Sequence, residues 1–156
     1  MLNNNSLLLD PSLRDAGIAL PRYYESGELI IHEDSNERAV FLIQSGSVRV
    51  SECIKLEDCR QIKPGICDLD EGDVFGELSL LELGPRVASV RAVKPTKVLA
   101  FDAPSLIAHL DDNPEFGYLL LKELFGVVTS RLRRTDRRLG SVFAWGLKAH
   151  GIDREL

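Results

Sequence analysis

Gly76-Glu77 and Pro85-Arg86 are the residues whose types and spacing promise chemistry. Glycine lets another group approach the backbone closely and adopts dihedral angles that other residues resist. The run Glu77-Leu78-Ser79-Leu80-Leu81 that follows is long enough for one helical turn, whose first N–H groups have no partner within the turn. Arg86 adds a planar fork of donors suited to a phosphate. One carboxylate, a set of N–H donors and one guanidinium together describe a pocket for a small phosphorylated molecule that carries hydroxyls. A small-residue strand, Ala88-Ser89-Val90, follows directly.

No catalytic constellation accompanies this stretch. His32, His109 and His150 are far apart, and no nucleophile stands with a base. Metal chemistry on a β scaffold needs clustered histidines and carboxylates, which the sequence does not supply. The cysteines, Cys53, Cys59 and Cys67, are odd in number, form no C-x-x-C and have no nearby histidine, so reduced thiols are expected. The residues point to recognition, not to an enzyme.

The rest of the chain must position that pocket. Its 156 residues fit a single domain spanning 1–156, and 44% hydrophobic content is enough for a core. A net charge of −5 argues against DNA as a main partner, because phosphate backbones demand a basic footprint. The longest apolar run is too short for a membrane span. The N-terminus lacks the features of a signal peptide, so a cytoplasmic protein is expected.

Short strands at close spacing with glycine-containing turns predict a compact antiparallel β-barrel or β-roll (jelly-roll-like) over about 22–102. Leu29-Ile30-Ile31 follows a Ser26-Gly27 turn. Val40 to Ile43 and Val48 to Ser51 flank Gln44-Ser45-Gly46-Ser47, which reads as a hairpin. Further strands are predicted around Ile66, Leu69 and Val74, over Val87 to Val93 and over Lys97 to Phe101. Before the roll, Asp10-Pro11 opens a helix, and Leu7, Leu8, Leu9, Leu13 and Ile18 cover one side.

Asp102 reads as the N-cap of a short helix over about 103–110. Asn113-Pro114-Glu115 opens a long one over about 114–142, roughly 43 Å in length. Tyr118, Phe125, Leu132 and Leu139 alternate with Leu121, Val128, Thr135 and Val142 in steps of three and four. This a/d seam predicts a parallel helix pair across a homodimer, with Thr135 as its one polar member; packing on the β domain is the alternative. Arg131, Arg133, Arg134, Arg137 and Arg138 read as a solvated basic face. Residues 143–156 form a tail in which Phe143 or Trp145 either packs or covers a bound base.

The motif F-G-E-L-S-L-L-x-x-x-P-R-V-A-S-V-R-A, over residues 75–92, resembles the phosphate-binding cassette of the cyclic-nucleotide-binding domain family. Weaker similarity runs from Tyr23 to Val142 through E-S-G-E-L-I, F-L-I-Q-S-G-S-V-R-V and E-G-D-V-F-G-E. The resemblance implies an α+β, mainly β fold: an eight-stranded roll holding the cassette, a short helix and a long C-terminal helix. It implies that Glu77 accepts a hydrogen bond from the ribose 2′-hydroxyl and that Arg86 pairs with the cyclic phosphate. Backbone N–H groups near Gly76 to Leu78 and at Ala88 complete the cradle. Phe75, Ser79, Pro85 and Val87 belong to the same ligand-binding stretch. The resemblance also implies cAMP over cGMP, because Val87 lacks the hydroxyl that accompanies guanine recognition in this family.

Arg131-Leu132-Arg133-Arg134-Thr135 resembles the R-L-x-x-T segment of the cAMP receptor protein-like branch, in which the threonine reaches the adenine across the dimer seam. The helix-turn-helix that follows in that branch's transcription factors is missing from this sequence. Residues 52–65 are unlike a common family hairpin, and Glu33-Asp34-Ser35 replaces a turn that often holds glycine. The function expected is a stand-alone cyclic nucleotide sensor, cAMP-binding, that signals to a separate effector protein. A protein-interaction module with a vestigial or differently occupied pocket is the alternative. Titration with nucleotide separates the two.

Overall fold

The structure, a computed structural model, describes residues 6–51, 54–55, 61–62, 65–81 and 84–149. Cys53, Cys59 and the turn residue Pro64 lie outside them. The chain forms two compact units, Met1–Leu120 and Leu121–Leu156, where one domain over 1–156 is expected from sequence.

In the first unit a 3-10 turn, Leu7–Leu9, leads into helix α1, Pro11–Asp15. The Asp10 carboxylate accepts from Ser12 N at 2.9 Å and caps α1 as its Asp-Pro start predicts. The strands are β1 (Ala19–Tyr24), β2 (Leu29–Ile31), β3 (Ala39–Ser45), β4 (Ser47–Ser51), β5 (Ile54–Lys55), β6 (Gln61–Ile62), β7 (Gly65–Asp70), β8 (Val74–Phe75), β9 (Ser89–Ala92) and β10 (Thr96–Asp102). Two antiparallel four-stranded sheets, ordered β1-β10-β3-β8 and β2-β9-β4-β7, make the predicted eight-stranded roll. β5 and β6 pair as a separate ribbon.

The hydrophobic pattern explains how the roll closes. Successive strand residues face opposite sides. Ala39, Phe41 and Ile43 of β3 meet Val98 and Ala100 of β10, Val48 of β4 and Val90 of β9 in one core between the sheets. On the opposite face of the first sheet, Val40, Leu42, Leu99 and Phe101 are buried as well. β3 is therefore a continuous apolar run with no alternation, as a strand covered on both faces should be.

The sequence hairpin at Gln44–Ser47 is a corner instead. β3 and β4 belong to different sheets, and so do β9 and β10, whose connection lies alongside. Ser47 N donates to the Thr96 hydroxyl at 3.2 Å, and that hydroxyl lies 2.7 Å from the Lys94 carbonyl. Gly46 sits against this group with φ of 100°, and a Cβ there would come within 2.4 Å of Thr96 Oγ1. The glycine serves close approach between two chain crossings, which local sequence reads as a tight turn.

Helix α2, Ala103–Asp112, starts where Asp102 predicts: its carboxylate accepts from Ser105 N at 3.0 Å. Helix α3, Pro114–Ala149, follows after one residue. Asn113 does not cap α3 through its side chain. Its Nδ2 donates back to the His109 carbonyl at 2.9 Å, while its own carbonyl accepts from Gly117 N at 2.8 Å. A Cβ on Gly117 would lie 2.9 Å from the Leu110 carbonyl, so this glycine sets the close approach of α2 and α3.

The second unit carries the remainder of α3. The helix ends at Ala149 and not near Val142, so the residues predicted as a tail from 143 are helical as far as 149. Gly140 and Gly146 do not end it, because one glycine lowers helix stability by only about 1 kcal/mol. The seam residues Phe125, Leu132, Leu139 and Val142 are exposed, and so are Phe143 and Trp145 at 64% and 72%.

Candidate functional site

β8 delivers the cassette. It pairs with β3 through Phe41↔Phe75 and Leu42↔Val74. The Phe75 ring is buried and stacks on Phe41 with centroids 4.9 Å apart, so it anchors the strand and leaves only its backbone to the pocket. Gly76 then turns the chain at φ of 77°. A Cβ at this position would lie 2.7 Å from the Ala39 carbonyl and 3.2 Å from Arg86 Nη1. Both the dihedral and the space require glycine.

Glu77–Leu80 forms the expected single turn, of 3-10 type, closed by Ser79 N donating to the Gly76 carbonyl at 3.2 Å. Glu77 is half-buried, whereas Leu78 and Leu81 are exposed apolar residues beside it. The Ser79 hydroxyl lies 2.8 Å from the Gly76 carbonyl and 3.1 Å from that of Ala39. It is engaged in fixing the turn.

Arg86 is buried, with only 8% of its surface exposed. Nη2 donates to the Ala39 carbonyl at 2.6 Å and Nη1 to the Gly76 carbonyl at 3.2 Å. Nε is buried without a hydrogen-bond partner. Burial pushes the guanidinium below its ordinary pKa, and the charges of Glu37 and Glu77 oppose that shift. The group remains a cation, since arginine does not deprotonate in proteins. A buried cation with carbonyl partners and an orphaned N–H is costly until an anion joins it. The site's chemistry therefore fits a phosphate.

The backbone at Arg86 is fixed as firmly as its side chain. Arg86 N donates to the Ser35 carbonyl at 2.8 Å, and Asp34 N donates to the Arg86 carbonyl at 2.9 Å. Asp34 has φ of 67°, the one non-glycine residue with positive φ among the described residues. The Glu33-Asp34-Ser35 turn thus does what a glycine turn does, because a short aspartate tolerates the left-handed region better than most residues. Glu33 N donates to the Ser89 hydroxyl at 3.1 Å, extending the same join. Pro85 and Val87 are exposed on either side of Arg86, and Ala88 is half-buried.

The structure brings together Phe75, Gly76, Glu77, Leu78, Ser79 and Arg86. Arg131 and Thr135 belong to the second unit, where the exposed Thr135 hydroxyl donates to its own helix at the Arg131 carbonyl, 3.1 Å away. Sequence alone does not reveal Ala39, whose carbonyl serves both Arg86 and Ser79. Nor does it reveal Arg38, which donates to the carbonyls of Ser79 and Leu80. Their separations of 40 to 47 residues leave no local signal. A cavity of about 340 Å³ is lined among others by Arg22, Glu37, Arg38, Ala39 and Asp102, and its lining includes neither Glu77 nor Arg86. Among the described residues no cluster of histidine, cysteine and acid could hold a metal, and no helix is long and apolar enough to cross a membrane.

Residues 21–113 match the sequence model of the cyclic nucleotide-binding domain. The chain belongs to the cyclic nucleotide-binding domain family. It is 28% identical over 122 residues to a CRP-like cAMP-activated global transcriptional regulator of Mycobacterium tuberculosis, covering 78% of this chain and 51% of that one. It is 31% identical over 118 residues to the cyclic AMP receptor protein of Thermus thermophilus, covering 76% and 51%. It thus spans about half the length of these relatives. A solved cyclic nucleotide-binding domain from Methylobacillus flagellatus matches at a TM-score of 0.73 and 25% identity, covering 80% of this chain and 68% of the other.

Proposed function

We propose that this chain is a cyclic nucleotide sensor, for cAMP in preference to cGMP, that dimerises through α3 and signals to a separate effector protein. The observation that carries the proposal is the buried Arg86 guanidinium with an orphaned Nε, beside left-handed Gly76 and half-buried Glu77. In this reading Arg86 pairs with the cyclic phosphate and Glu77 accepts from the ribose 2′-hydroxyl. Backbone N–H groups of Gly76 to Leu78 and of Ala88 complete the cradle, while Ser79 holds the turn and Phe75 its strand.

Preference for cAMP rests on Val87, which offers no hydroxyl to a guanine, and on the cAMP-responsive names of the two relatives. Arg131 and Thr135 enter the ligand set from their sequence match alone. Dimerisation is supported by the exposed seam of Phe125, Leu132, Leu139 and Val142, which a second copy of the helix would bury. The reading includes no catalytic step, and places the protein in the cytoplasm with no direct DNA contact. Nucleotide can move α3 only by binding one of its positions more tightly than another.

Calorimetric titration tests this. Heat with cAMP, at higher affinity than with cGMP, is the expected result; absence of heat with both overturns the sensor reading.

A further inference from the structure

Arg38 stands outside every sequence motif, yet it joins three parts of the fold. Its Nε and Nη2 donate to the Ser79 carbonyl at 3.2 and 3.1 Å, and Nη2 also reaches the Leu80 carbonyl at 3.2 Å. These carbonyls close the C-terminal end of the cassette turn. A short turn leaves its last carbonyls without intrahelical partners, and a cation there suits the turn's dipole. A guanidinium can aim Nε and Nη2 together, in one plane, at the Ser79 carbonyl while Nη2 also reaches that of Leu80; a lysine ammonium is a point charge on a flexible stem.

The backbone of the same residue holds a second element. The Arg38 carbonyl accepts from the N–H of Ala103, the first residue of α2, at 3.0 Å. The next residue, Ala39, offers the carbonyl that holds Arg86 and Ser79. Arg38, just before β3, and Ala39, its first residue, therefore hold the C-terminal end of the cassette turn, the cassette arginine and the helix that follows the roll.

We propose that Arg38 is a positioning residue: its guanidinium sets the cassette turn so that the turn's N-terminal N–H groups face the phosphate, and its backbone passes the turn's position to the start of α2. Nucleotide binding at Glu77 and Arg86, on which this inference rests, pulls on the turn from one end, and Arg38 transmits the pull at the other. Ser79, Leu80 and Ala103 then respond to the ligand as one group.

The test uses the full chain with Arg38→Lys and Arg38→Ala, read by nucleotide titration and by amide hydrogen exchange with and without cAMP. In the wild type, cAMP slows exchange at residues 79–81 and at Ala103 together. Arg38→Lys should keep the charge and the fold, bind cAMP about tenfold more weakly, as expected for lost charge-assisted bonds, and lose the added protection at Ala103. Exchange within β3 and β10 should stay unchanged, which a general loss of stability would not allow. Unchanged affinity in both variants, or protection at Ala103 that survives them, overturns the role of Arg38. If the wild type binds neither cAMP nor cGMP, the sensor reading fails. Arg38 is then judged without ligand: faster exchange at residues 79–81 in Arg38→Lys upholds the clamp, and unchanged exchange there overturns it.

Discussion

Nη2 of Arg86 donates to the carbonyl of Ala39 at 2.6 Å, joining two residues 47 positions apart and drawing the guanidinium into the wall of the roll. The bond uses one edge of the fork and leaves Nε buried without a partner. The arginine is thus positioned by the fold yet short of an acceptor, a state that favours an incoming anion.

Replacing Arg86 by alanine should weaken cAMP binding by about 2–5 kcal/mol, the range seen when one partner of a buried charge pair is removed. Binding should suffer far more than folding, because the change also removes an unsatisfied buried donor. Paired calorimetric and thermal unfolding measurements distinguish these effects.

Gly76→Ala should destabilise the protein by about 1–3 kcal/mol, since it combines a left-handed φ with a Cβ only 2.7 Å from the Ala39 carbonyl. Gly84→Ala is the control: its Cβ would meet nothing within 4 Å, and a change within about 0.5 kcal/mol is expected. Urea denaturation of the two variants measures the difference.

Thr96→Val should cost about 1–3 kcal/mol. The buried hydroxyl lies within hydrogen-bond distance of Ser47 N and of the Lys94 carbonyl, and an isosteric methyl removes both contacts, while the Ser47 carbonyl keeps the N–H of Val93 at 2.9 Å. Loss should appear as a lower denaturation midpoint with an unchanged slope.

Asp102 links stability to pH. Hydrogen bonds from the Ser105 side chain and then its backbone hold the Asp102 carboxyl below its ordinary value. A depressed folded pKa contributes stability above the unfolded value, near about 4, and that contribution fades as pH falls through the folded value. Asp102→Ala should therefore cost about 1 kcal/mol at neutral pH and progressively less in acid. Unfolding measured at neutral and at acid pH checks the convergence with wild type.

Much of this fold was legible in local chemistry. Asp10 and Asp102 mark helix starts because a cap acts within three residues. Gly76, Glu77 and Arg86 are recognisable because one turn and one strand carry them all. What sequence concealed depends on distant contacts: Gln44–Ser47 reads as a hairpin until Thr96 is seen beside Gly46, and Arg38 is one more surface arginine until Ser79 and Leu80 lie against it. Asn113 carries a cap signal, yet its amide turns back to His109. α3 runs on past Val142 to Ala149 because no proline or strong cap stops it there.

The sensor account also predicts association. Leu132→Asp places a charge in the exposed seam and should convert a dimer to a monomer in analytical ultracentrifugation, with cAMP still bound at the cassette. A monomeric wild type would remove α3 as a dimer element.

The central claim is tested most directly by titrating cAMP into the wild-type chain and into Arg86→Ala under identical conditions. The account predicts one saturable site per chain in the wild type and a loss of about 30-fold or more in the variant, the lower end of the range above. Equal affinity in the two proteins, or no binding in the wild type, would contradict it.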